Sequence, residues 1–266
     1  MIKTFDRIDR AFRLVSSIRD IYPDIRIIVA DDGEEAQRFL SAPGASRGIH
    51  RRDFLFLPLP YDVGLSAGRN RMLELVTTPF FLTLDDDFFM DGNSRLEHLL
   101  FPVLTGQLDI AAGKNPRDEA AYGFDFCGKM IVTREDDTMH LVGGNYGSVA
   151  GCDIVDIVPN LFVGSVARVR QVGWDDELKL GEHEDFFWRA KLAGLRVGSC
   201  PLTSFLHGQE PSWQGGAQSK YNNMRRRIYD FWRISLEKHG LRKLKSFGNT
   251  MMISQRTHGE YFVTFL

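Results

Sequence analysis

Two apolar runs that end abruptly in acidic residues constrain this chain more than any other feature. Ile25 to Ala30 is a nearly continuous β-branched run that stops at Asp31-Asp32-Gly33, and Phe80 to Leu84 stops at Asp85-Asp86-Asp87. Runs without polar alternation suit strands covered on both faces. Helical spacing lies around them: Ile8, Phe12, Val15 and Ile18 mark an amphipathic helix over residues 6 to 21, which closes at Tyr22-Pro23. Phe54 to Leu59 repeats the strand signal and Gly64 to Val76 the helix signal. Strands alternating with helices predict an α/β fold with a mostly parallel sheet, whose ligands gather beyond the carboxyl ends of the strands. Both acidic clusters fall at that edge.

The pattern continues with a helix near 94 to 104 and a strand near 108 to 112. After Gly113 it becomes less regular, with runs at Met130 to Thr133, His140 to Val142 and Val155 to Val163. A helix from Glu182 to Ala193 leads into a strand, Leu195 to Cys200, and then a loop, His207 to Gln218, rich in glycine, with Trp213 as an aromatic anchor. That composition suits a mobile lid. A basic, aromatic helix over 218 to 239 follows. With 266 residues and 43% hydrophobic content, one globular unit over 1–266 is expected.

Charge narrows the partners. The 33 basic and 35 acidic residues give a formal charge of -2, which argues against a nucleic-acid footprint. Three scattered cysteines, an odd number without a C-x-x-C pair, make a reducing compartment the easier expectation. No run reaches the roughly 18 apolar residues of a membrane span, so a soluble, cytoplasmic chain is expected. A Golgi lumen is the alternative if this is a domain of a longer anchored protein.

Three consecutive carboxylates after an apolar strand need a compensating cation or strong hydrogen bonds. Asp85 and Asp87 can face one way while Asp86 points elsewhere, so a Mg²⁺ or Mn²⁺ site is one reading and a solvated helix-capping turn the other. Spacing alone leaves both open. A calcium hand fails, because Phe89 stands at its third ligand position. Gly181 to Phe187 opens a helix, where Glu182, Glu184 and Asp185 are favourable as caps, but the aromatic residues beside them could keep one carboxylate basic. Phe187 replaces the second histidine of a metalloprotease motif, and Met130 replaces the hydroxyl of a phosphate-binding loop at Gly123 to Met130. His207, just past a strand, is a candidate third metal ligand. Arg69 lies near a helix start that could meet an anion, or is an ordinary surface arginine.

Taken in order, Val29-Ala30-Asp31-Asp32-Gly33, Gly64 to Asn70, Leu84 to Asp87, Glu184-Asp185 and His207 resemble the inverting family-2 glycosyltransferases of the GT-A fold. Tyr22-Pro23, Gly68-Arg69-Asn70, Asp85-Asp86-Asp87-Phe88 and Arg196 to Cys200 are similar to the catalytic domain of β-1,4-N-acetylgalactosaminyltransferases. The resemblance implies a Rossmann-like nucleotide-sugar-binding fold with a central, mostly parallel mixed sheet flanked by helices. Residues 1–112 would form the nucleotide-sugar half, 113–217 the acceptor and catalytic half, and 218–266 a C-terminal helical appendage.

Asp31 and Asp32 would meet the base and ribose with Arg69 nearby, and Thr4, Asp85, Asp86 and Trp213 would complete the donor contacts. Asp87 would hold Mn²⁺ or Mg²⁺ with His207 and Asp85. Asp185 would be the general base, paired with Glu184. The implied activity is metal-dependent, inverting transfer of GalNAc, GlcNAc, Gal or Glc from a UDP-sugar to a glycan or other hydroxyl acceptor. One departure is that the first strand is nearly absent, since the chain starts Met1-Ile2-Lys3-Thr4. Two rivals remain. A nucleotidyltransferase requires an early glycine-rich loop, and residues 1 to 20 contain no glycine; a non-catalytic carbohydrate-binding module of the same fold predicts no turnover.

Overall fold

The computed structural model describes residues 1–34, 36, 52–116, 126–208, 223, 224 and 226–247, together with the backbone of 251–255 and 261–265. β1 (Ile2–Thr4), α1 (Ile8–Ile21), β2 (Ile27–Asp31), β3 (Phe54–Pro58), α2 (Leu65–Leu75) and β4 (Phe80–Asp85) follow the expected alternation. β1 is only three residues long, yet it pairs in parallel with both β2 and β4. Its register sets Thr4 opposite Asp31 and Lys3 opposite Asp85, so three strand ends converge at one point. α1 lies against this sheet because Ala11, Phe12, Leu14, Val15 and Ile18 fall on one stripe and are all buried.

Next come β5 (Phe88–Phe89), α3 (Leu96–Leu104), β6 (Ile110–Lys114), β7 (Lys129–Thr133), β8 (Thr138–Val142), β9 (Ser148–Val149), β10 (Cys152–Val155) and β11 (Leu161–Ser165). The chain then forms α4 (Val166–Val172), α5 (Glu182–Leu192), β12 (Val197–Ser204), β13 (Leu206–His207), α6 (Ile228–Lys238), β14 (Lys243–Ser246), β15 (Met251–Gln255) and β16 (Tyr261–Phe265). Nine strands make one sheet in the order β3-β2-β1-β4-β11-β6-β12-β10-β9. β11 runs antiparallel to β4 and β6, and β10 antiparallel to β12, so the sheet is mixed but mostly parallel in its first half. The two-stranded β13–β5 ladder stands apart and pairs His207 with Phe88.

Two expectations change. The run from 155 to 163 is not one strand but the end of β10 and the start of β11. Pro159, which has no N–H to give a ladder, interrupts it, and Asp156 turns in to accept from the Met130 N–H and the Tyr146 hydroxyl. The second concerns the cysteines. Asp153 pairs with Ser199 across β10 and β12, which sets Cys152 beside Cys200 with Cα atoms 4.1 Å apart, and the two are disulfide-bonded. That removes the ground for expecting a reducing compartment, where such bonds rarely persist.

The bond spans a sequence separation of 48 residues. A constraint of that length on the unfolded chain is worth about 2–5 kcal/mol. Cys200→Ser should therefore lower the denaturant-unfolding free energy by about that amount. Thiol titration of the denatured, unreduced protein should find Cys127 alone; three titrating thiols would show that the bond is absent.

Candidate active site

Burying several carboxylates at one sheet edge requires cations or hydrogen-bond donors to offset them. Lys3, on the central strand, is buried and forms an ion pair with Asp32, whose other oxygen accepts the Gly64 N–H at 2.7 Å. Gly68 makes room for that lysine, since a Cβ there would lie 2.4 Å from Lys3 Cε. Asp86 is fully buried, grips Arg7 through both oxygens and accepts the Thr4 hydroxyl at 2.6 Å. Burial raises its carboxyl to about 6 against the pull of Arg7. Arg69 is also fully buried and bridges two elements: one nitrogen pairs with Glu182 at the start of α5, the other with Asp85 Oδ1 at 2.8 Å.

Above these pairs a cleft of about 460 Å³ opens beyond the ends of β1, β2 and β4. Of the expected residues, Thr4, Asp32, Asp85, Asp87, Glu184 and His207 line it. The fold thus gathers residues more than 200 positions apart in sequence, from Thr4 to His207. Four others do not line it. Asp31 is buried as a turn cap, with one oxygen accepting the N–H groups of Gly33 and Asp6. Asp86 is turned beneath the cleft, and Arg69 is neither a surface arginine nor part of the lining but an internal bridge. Asp185 is the fourth. Trp213, with the rest of the expected lid beyond Gly208, lies outside the described residues.

The metal ligands divide in the same way. Asp87 Oδ1 and His207 Nε2 are 3.5 Å apart, brought together by the β13–β5 ladder and by the Gly208 N–H bonded to the Asp87 carbonyl at 2.7 Å. Asp85 instead faces Arg69 and, at 3.5 Å, the Asn160 amide. Among the described residues no three His, Cys, Asp or Glu side chains cluster closely enough to hold a metal, so the expected trio is not assembled. Asp87 and His207 still offer one oxygen and one nitrogen donor, of which the carboxylate is the kind that suits Mn²⁺ or Mg²⁺. Arg7 and Arg10 stand 3.4 and 3.6 Å from the other Asp87 oxygen. Burial pushes the Asp87 carboxyl up, but the His207 bond and both arginines hold it well below the usual carboxylate range.

Two consecutive carboxylates on α5 have opposite surroundings. Asp185 takes Arg189 Nε on one oxygen at 2.7 Å, and His239 Nε2 at 2.7 Å and the Ser235 hydroxyl at 3.3 Å on the other. Burial opposes ionisation there, yet His239 and Arg189 hold the carboxyl below its ordinary value. Both of its oxygens are engaged and its side chain does not line the cleft, although Asp185 is the carboxylate expected to act as the base. Glu184 faces the cleft, and burial, reinforced by Glu182 and Asp185, raises it to about 7 although the Trp232 indole N–H donates to it at 3.2 Å. Sequence reasoning missed Arg7, Asn160 and Trp232, none of which stands in a motif or at a strand end.

Residues 1–139 match the model of the family described as Glycosyl transferase family 2, and the chain belongs to that family. The β-1,4 N-acetylgalactosaminyltransferase 1 of Rattus norvegicus is 33% identical over 207 residues, covering 74% of this chain and 36% of that protein. The β-1,4 N-acetylgalactosaminyltransferase 2 of Mus musculus is 31% identical over 211 residues, covering 77% and 38%. The chain thus spans somewhat over a third of these relatives. Among solved structures, S. aureus TarS superposes with a TM-score of 0.55 at 12% identity, covering 88% of this chain and 38% of that one. TarS 1–349 in complex with UDP gives 0.53 at 12% identity, covering 88% and 64%. At such identity the likeness is one of fold, that of a GT-A glycosyltransferase.

A raised carboxyl has a thermodynamic sign. Between its ordinary value of 4.5 and about 7, Glu184 binds more protons in the native than in the unfolded chain, so it costs stability as pH rises through that window. Glu184→Gln should therefore lose less melting temperature between about pH 5 and about pH 8 than the unaltered protein. Parallel melting curves for the two proteins would contradict that environment.

Proposed function

We propose that this chain catalyses inverting transfer of a sugar from a UDP-sugar to a hydroxyl acceptor, with Glu184 as general base. The observation that supports it most is the meeting, in one cleft, of the acidic strand ends Asp32, Asp85 and Asp87 with a carboxylate on α5 that titrates near neutrality. GalNAc is the favoured sugar, because the relatives are named N-acetylgalactosaminyltransferases. A glycan is the favoured acceptor.

Asp32 and Asp85 face the cleft at the ends of β2 and β4, placed to receive the nucleoside. Asp87 and His207 would hold Mn²⁺ or Mg²⁺, which when bound offsets the charge of the diphosphate. Glu184 takes the acceptor proton as the acceptor oxygen attacks the anomeric carbon. The bond from that carbon to the diphosphate oxygen breaks in the same step, so UDP departs and the configuration inverts. Phe88, Trp232 and Leu65 give the cleft apolar walls that limit water. The Cys152–Cys200 bond suits an oxidising lumen better than a cytoplasm.

Incubation with Mn²⁺, a panel of UDP-sugars and candidate glycans tests the proposal by UDP release. Release that rises with acceptor is the expected outcome; none from any donor would favour a non-catalytic module, and release of pyrophosphate from a nucleoside triphosphate a nucleotidyltransferase. Glu184→Gln should slow turnover by about 10²–10⁴-fold with donor binding retained. Asp87→Ala should abolish the gain in donor affinity that Mn²⁺ gives, read by calorimetry, and donor binding that is indifferent to chelator would remove the metal from the scheme.

A further inference from the structure

Asn160 carries the one side-chain amide among the described residues that line the cleft, and it lies against His183. Asn160 directly precedes β11, whereas His183 stands on the first turn of α5. The imidazole Nδ1 is 2.9 Å from Asn160 Oδ1, and Asn160 Nδ2 is 3.5 Å from Asp85 Oδ2. A carboxylate can only accept, so the amide turns its nitrogen to Asp85 and its oxygen to His183, and the imidazole carries its proton on Nδ1. Burial, assisted by Arg69, pulls the imidazole down to about 3, although the Val158 carbonyl favours its charged form. The ring is therefore neutral near pH 7. Phe126 and Phe187 flank it, each with its centroid 5.1 Å away.

The amide is thus pinned on its oxygen side and lightly held on its nitrogen side. Its 3.5 Å approach to Asp85 is longer than an ordinary N–H···O bond, and Arg69 already holds the other Asp85 oxygen at 2.8 Å. Asn160 also bridges the end of β4 to the start of α5. A sugar passing from a diphosphate at the strand ends to an acceptor beside α5 must lie against that bridge. We propose that Asn160 is a specificity-determining residue for the donor, giving an amide N–H to an oxygen on the ring of the transferred sugar, and that His183 is the positioning residue that fixes the amide. This rests on the cleft binding a UDP-sugar, but not on which α5 carboxylate takes the acceptor proton.

The test compares kcat/KM for UDP-GalNAc, UDP-GlcNAc, UDP-Gal and UDP-Glc, with the affinity for UDP alone read by calorimetry. Asn160→Ala should narrow the preference for the best donor over the others by about 3–10-fold, the worth of one uncharged hydrogen bond, while UDP binds as before. His183→Ala should narrow it in the same direction, and His183→Asn, whose amide N–H can stand in for Nδ1–H, should restore it. Loss of UDP affinity in Asn160→Ala, or equal slowing with every donor, would overturn the specificity role, because a residue that merely braced Asp85 would act on all UDP-sugars alike. Absence of binding and turnover with every UDP-sugar in the unaltered protein would overturn the donor reading itself, and this inference with it.

Discussion

The site depends on matching most of its buried carboxylates to cations at the place where three parallel strands end. Lys3 answers Asp32, Arg7 answers Asp86, and Arg69 answers both Asp85 and Glu182. Such pairs repay their desolvation only when geometry and further hydrogen bonds are good, and losing one partner leaves the other charge stranded. Arg69 carries the most consequence because its two partners belong to different halves of the cleft. Asp85 ends a strand of the first half, whereas Glu182 opens the helix that carries Glu184 two residues later.

The alternation of runs and helices made the first half of the sheet legible, because apolar periodicity is local. The same logic shows why Asp85 and Asp87 face the cleft while Asp86 turns inward, although Asp86 had also been grouped with the donor contacts. What could not be read was set by distant partners. Glu184 and Asp185 are adjacent, and partners on α6, some fifty residues on, differ between the one that lines the cleft and the one that does not. Arg69 reads in sequence as a donor contact or a surface arginine, because nothing nearby announces Glu182.

The metal pair is a milder instance of the same principle. Asp87 and His207 are joined by a two-residue ladder, and the arginines beside Asp87 compensate its charge in the ligand-free protein. Any cation held there would compete with Arg7 and Arg10 for the same carboxylate.

The grip of α6 on both carboxylates also has a temporal meaning. The family match ends at residue 139, whereas Glu184, His207 and Trp232 all lie beyond it. During synthesis the nascent chain could shape its strand ends early, but the cleft would lack Glu184 until α5 emerged and the Trp232 indole beside it until α6 followed. The cleft is thus complete only when α6 has joined α5, and a chain clipped between them would keep Asp32, Asp85 and Asp87 without the contacts α6 makes to Glu184 and Asp185.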